Sequence, residues 1–147
     1  MDISQLMERA NRLDGEIRKL LRESGYAECG DLSSIEYDRT DPEELRDMDE
    51  LRLVAEKLDA ASRIVSYLQL PVVETSALHK NESGRFEMDS GFYFTSGSTI
   101  EALIDDGRHD VPYWSVSSVE SNANGYYIVG HSNVKLEDLT VRRRGRV

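Results

Sequence analysis

Between Glu36 and Glu50 the chain gathers eight carboxylates, Glu36, Asp38, Asp41, Glu43, Glu44, Asp47, Asp49 and Glu50, against two arginines, Arg39 and Arg46. On a helix, Glu43, Asp47 and Glu50 fall at spacings of four and three and share a face. Carboxylates in such a row can imitate spaced phosphates and occupy a cationic nucleic-acid channel. Complementary fields would raise the on-rate and set the partner class. The plainer reading is a solvated helix start whose acids suit the positive end of the dipole. The run has no Asp-x-Asp-x-Asp-Gly pattern, so a calcium loop is not expected.

The other reactive residue types are dispersed. His79, His109 and His131 stand far apart and Cys29 is the one cysteine, whereas a zinc site needs close ligand pairs such as C-x₂-C or H-x₃-H. No cofactor and no metal is expected. Thr95-Ser96-Gly97-Ser98 has the composition of a phosphate nest but lacks the lysine and following helix of a P-loop, so it reads as a hairpin turn. Tyr113 and Trp114 follow the acids Asp105, Asp106 and Asp110. Aromatics on a small β domain can form a partner groove or hot spot, or they can be core. At the end of the chain, Arg142, Arg143, Arg144 and Arg146 form a basic tail. It can touch phosphate, or it can neutralise the domain's own acids, since residues 83–141 carry nine acids and three bases. No catalytic motif is present, and the chain reads as non-enzymatic.

Composition narrows the classes further. The chain has 147 residues, 28 Asp+Glu against 18 Lys+Arg, and a net charge of −10. That length suits one ordinary domain or two small ones. The acidic balance opposes binding to free nucleic acid or an anionic membrane surface. No apolar run approaches the roughly 20 residues that a membrane span needs. With a lone cysteine and no secretory pattern, the expected compartment is the cytoplasm.

The elements that must carry these residues follow from periodicity. Ile3, Leu6, Ala10, Leu13, Ile17 and Leu20 alternate spacings of three and four, which lays one seam along a helix running to about Ser24. Gly25 suits its stop. The seam can pack within the chain on a second helix, or form a homodimeric coiled coil through the first helix. Tyr26 to Thr40 reads as a connector. Asp41-Pro42-Glu43-Glu44 then opens the second helix, with Asp41 as N-cap, Pro42 at the first position and Glu44 completing a capping box. Leu45, Met48, Leu51, Ala55, Leu58, Ala61, Val65 and Leu68 carry it to about Gln69, before Pro71. After that, short segments rich in β-branched and aromatic residues are expected as strands: 85–88, 92–95, 100–104, 113–119, 126–129 and 139–142. Asn124-Gly125 is the expected tight turn.

A set of motifs supports this division. Pro71-Val72-Val73-Glu74, Leu78-His79-Lys80-Asn81-Glu82-Ser83-Gly84-Arg85-Phe86-Glu87, Phe94-Thr95-Ser96-Gly97-Ser98 and Gly125-Tyr126-Tyr127-Ile128-Val129-Gly130 stand in order. Leu136-Glu137-Asp138-Leu139-Thr140-Val141-Arg142-Arg143-Arg144 closes the series. Together they resemble an uncharacterised family of small accessory proteins encoded on bacterial conjugative elements and phages. The resemblance implies a helical N-terminal part followed by a small SH3-like β domain, and it implies no biochemical activity. Where that family has a basic-hydrophobic-Glu-His strand, this chain has Ser118-Val119-Glu120-Ser121. Mobile elements also encode inhibitors of host defence, including anti-CRISPR proteins, so that role enters by analogy of context.

The expected fold is therefore α+β. A helical hairpin at 1–70 and a connector at 71–83 precede a small antiparallel SH3-like β-barrel with a basic tail at 84–147, and the hairpin packs on the barrel. The expected function is a non-enzymatic acidic inhibitor that blocks the nucleic-acid-binding surface of a Cas9-like effector. Its contacts would come from Glu36, Asp38, Glu43, Glu44, Asp47 and Glu50, with Asp105, Asp106, Tyr113 and Trp114. The alternative is an adaptor in conjugation or replication that uses the barrel groove.

Overall fold

The computed structural model describes residues 1–145; Arg146 of the basic tail lies outside them. The chain divides into two compact units, Met1–Gln69 and a second that begins at Leu70.

The first unit holds α1 (Ile3–Glu23), a one-turn α2 (Tyr26–Cys29) and α3 (Pro42–Gln69). Asp2 caps α1 in a reciprocal box. Its carboxylate accepts the Gln5 amide at 2.8 Å, and the Gln5 side chain accepts the Asp2 amide at 2.9 Å. Gly25 ends the helical run in the left-handed region, φ 80°. A Cβ there would also fall 2.4 Å from Ser34 Oγ and push that hydroxyl aside, but it is the left-handed backbone that favours glycine. α3 stops at Gln69, ahead of Pro71.

The buried face of α1 meets the seam that the spacing outlines only at Ile17, which packs half-buried against the helical core. Asp14 and Leu21 are buried, whereas Ile3, Leu6, Leu13 and Leu20 are more than half exposed. α3 buries Met48, Ala55 and Ser62, two of them small, which favours close approach of helix backbones. The connector supplies much of the rest: Leu32 joins Leu21, Met48 and Ala55, with Ile35 and Tyr37 packed against them. The result is a thin core. Asp14 is held by Arg18 at 2.7 Å, and Arg18 also donates to Ser66 Oγ at 2.6 Å.

The second unit is an open antiparallel sheet. Its strands are β1 (Val72–Ala77), β2 (His79–Lys80), β3 (Phe86–Glu87), β4 (Thr99–Ile104), β5 (Tyr113–Asn122), β6 (Gly125–Ile128) and β7 (Thr140–Arg144). Five of them form one sheet in the order β1-β7-β4-β5-β6, and β2 and β3 make a separate two-stranded piece. Several expectations are corrected here. The sheet does not close into a barrel, because the chain leaves β6 and inserts β7 between β1 and β4, so β1 and β6 remain edges. The stretch 71–83, read as a connector, carries β1 and β2. The expected strand at 92–95 contributes only a bridge between Tyr93 and Glu87. The basic tail is largely β7, a central strand.

One face of this sheet is the main core. Ile100, Ala102 and Ile104 from β4, Val119, Ile128 and Val141 pack with Leu78, Met88, Phe94 and Leu136. The strand period of two sends β4's intervening residues to the other face. That face carries Glu101 and Leu103 opposite Val116 and Trp114.

Candidate functional site

The acidic run occupies the entry to α3, and its geometry is built by the chain's own capping. Asp41 accepts the Glu43 amide at 2.9 Å as N-cap. Glu44 does not close the expected box on Asp41. It accepts the Asp38 amide instead, which ties the connector to the first helical turn. Asp38 in turn accepts the Thr40 hydroxyl at 2.7 Å and amide at 2.9 Å. Those two bonds, the hydroxyl first, hold its carboxyl below the usual range. This part of the run is therefore a turn closed by its own hydrogen bonds, with the ionised form of Asp38 favoured.

Further along α3 the row is partly neutralised from within. Arg46 reaches Glu43 at 2.8 Å and Asp47 at 2.7 Å, and Arg52 reaches Asp49 at 2.7 Å. All of these side chains are largely exposed, so each pair is weak and exchangeable. Glu36 and Glu50 are exposed and have no ion-pair partner among the described residues. Arg39 lies over the Tyr37 ring at 5.1 Å. A surface with local negative excess remains, but three arginines are threaded through it.

The second group of candidates belongs to the sheet unit. Asp105 is exposed in the β4–β5 loop. Asp106 accepts the Arg108 amide at 3.0 Å and the Tyr113 hydroxyl at 2.9 Å. These bonds, the amide first, lower its pKa. Burial and the hydrogen bond to Asp106 raise that of Tyr113. Tyr113 packs against the core and meets His109 edge-on at 4.7 Å. Trp114 is half-buried on the face opposite the core, and Arg142 lies over its ring at 4.1 Å. The structure thus brings Asp106 and Tyr113 into contact. It commits both aromatic rings to in-chain partners.

The basic residues of β7 alternate across the sheet. Arg142 reaches Glu101 at 2.6 Å and Arg144 reaches it at 2.9 Å on one face, while Arg143 reaches Glu74 at 3.1 Å. Glu101 is 2% exposed, so a buried carboxylate is held by two guanidiniums. Glu74 also accepts the Ser90 hydroxyl at 2.6 Å, the main reason its pKa is lowered. The three described arginines of the tail are engaged with the unit's own acids.

Two clusters emerge that sequence spacing does not signal. Ser115 Oγ lies 3.0 Å from His131 Nε2, and His131 Nδ1 lies 4.0 Å from Asp106 Oδ2. The connectivity is that of a serine–histidine–acid relay. Its carboxylate, however, is beyond hydrogen-bond reach of the imidazole and already takes the Tyr113 hydroxyl and the Arg108 amide. Ser115 also stands within β5, paired with Ala102 of β4, and not on an exposed elbow. The contact ties β5 to the segment that follows β6. Separately, His79, Glu137 and Asp138 bring ligand-type atoms within 4.8 Å of one another. All three are exposed, and Glu137 already accepts the Lys80 amide at 3.1 Å. Both clusters join residues distant in sequence, so only chain topology assembles them.

Residues 76–143 match DUF5348, a domain of unknown function. That stretch runs from β1 to β7 and contains Asp105, Asp106, Tyr113 and Trp114, whereas the acidic run lies outside it. No curated protein and no solved structure matches the chain. Among the described residues, no helix is long and apolar enough to cross a membrane.

Proposed function

We propose that the protein is a non-enzymatic binding protein whose acidic α3 entry docks on a positively charged surface of another protein. The observation that carries this reading is the exposed row Glu43, Asp47 and Glu50 beside the ordered acids Asp38 and Glu44. Capping fixes the turn before a partner arrives, so little ordering entropy remains to be lost on binding. The internal pairs of Arg46 are solvent-exposed and give way to a stronger cation at small cost. The narrowest form of the proposal is an inhibitor of the anti-CRISPR type. A Cas9-like effector carries a cationic channel for its guide and target strands, and such a channel is the kind of surface this row complements. That form draws on the charge argument and on the resemblance to accessory proteins of mobile elements.

The test is target-DNA cleavage by a Cas9-type effector, with the intact chain and with the triple variant Glu43→Gln, Asp47→Asn, Glu50→Gln. The intact chain should inhibit, and the triple variant should associate at least about tenfold more slowly. Inhibition should also weaken steeply as salt rises. A triple variant that inhibits as well as the parent would overturn the acidic-surface reading. No inhibition at low salt would overturn the effector assignment.

A further inference from the structure

We propose that the exposed seam of α1 is a homodimer interface, in which two copies pair their first helices antiparallel about a two-fold axis. The inference stands independently of the function proposed above. Ile3, Leu6, Ala10, Leu13, Ile17 and Leu20 form three heptads of a and d positions, yet Ile3 is 74%, Leu6 53%, Leu13 61% and Leu20 51% exposed. α1 uses the adjacent side, Asp14 and Leu21, inside its own unit, and of the seam Ile17 is half-buried against the same core. A row of leucines at a seven-residue interval is thus left facing water on a unit whose own core is thin.

The seam complements itself. In an antiparallel pairing, a positions meet d positions. Ile3 then meets Leu20 of the second copy, Leu6 meets Ile17 and Ala10 meets Leu13. The same three layers repeat across the axis, so the exposed seam residues Ile3, Leu6, Leu13 and Leu20 are covered and the interface closes at a dimer. Charge follows the same symmetry. Arg9 and Glu16 flank the seam one heptad apart, both exposed and without an ion-pair partner among the described residues. The two-fold operation sets Arg9 of each copy beside Glu16 of the other, twice per dimer; it also sets Asp2 near Glu23 at the two ends, where Lys19 lies 4.0 Å from Glu23 within each copy.

A groove lies beside the end of the incoming helix. Leu20, Leu51, Val54 and Leu58 line an apolar groove of about 200 Å³ between α1 and α3. The pairing sets Ile3 of the second copy over Leu20, at the lip of this groove. Ile3 is the most exposed residue of the seam. This surface therefore suits a second copy of the same helix.

Sedimentation equilibrium of the full chain, over about three decades of concentration, reads the state directly. A reversible dimer is expected. Arg9→Glu and Glu16→Arg should each weaken it about tenfold, by turning two attractive contacts into repulsive ones. The double variant should restore the parent affinity within about threefold. Leu13→Glu, at an exposed position, should give a monomer with unchanged helical circular dichroism. A parent chain that stays monomeric throughout overturns the proposal, whatever else covers the seam. So does a dimer indifferent to Leu13→Glu, or a charge-swapped pair that fails to restore affinity.

Discussion

At the residue scale, the chain's acids fall into two groups that composition alone does not separate. Glu36 and Glu50 are exposed and make no ion pair among the described residues. Glu101 is the opposite case: buried, and gripped by Arg142 and Arg144. Removing one member of such a group leaves buried charge without compensation. Glu101→Ala should therefore destabilise the sheet unit by about 3 kcal/mol, read from the urea midpoint of Trp114 fluorescence. A change below about 1 kcal/mol would show that the arginines are solvated once the carboxylate is gone. Arg142 stacks on Trp114, so the same substitution should also shift the tryptophan emission.

At the scale of elements, the start of α3 was the most legible feature of the sequence, whereas the one-turn α2 lies in the stretch read as a connector. Asp41-Pro42-Glu43-Glu44 announces α3 because capping is a contract between neighbours, and Asp41 does accept the Glu43 amide. Asp41→Ala should lower the melting temperature of the helical signal, at a cost of about 1 kcal/mol. Unchanged melting would mean that Glu44, through the Asp38 amide, secures the helix start alone. β1 was harder to see. Val72 and Val73 are exposed, and Glu74, Thr75 and Ser76 follow, so its sequence has no clear alternation. It is a strand because its backbone pairs with β7.

At the scale of the molecule, the two units have cores of different size. The sheet unit buries ten apolar residues in one cluster and the helical unit buries four. Helical circular dichroism should therefore be lost at a lower temperature than the fluorescence of Trp114, which reports the sheet unit. Coincident transitions by both probes would instead show a single cooperative molecule. Local rules written in the sequence determined the α+β order, the helix ends and most strand positions, since caps, prolines and periodicity act between near neighbours. Tertiary structure decided the rest. It turned α1 so that Asp14 and Leu21, and not the leucine seam, face inward. It placed β7 between β1 and β4, leaving the sheet open where a barrel was expected. It also set Arg142 and Arg144 on Glu101, and Ser115 beside His131. Each of these depends on which distant segments meet, and the free energy of such meetings belongs to the pair and not to either segment alone.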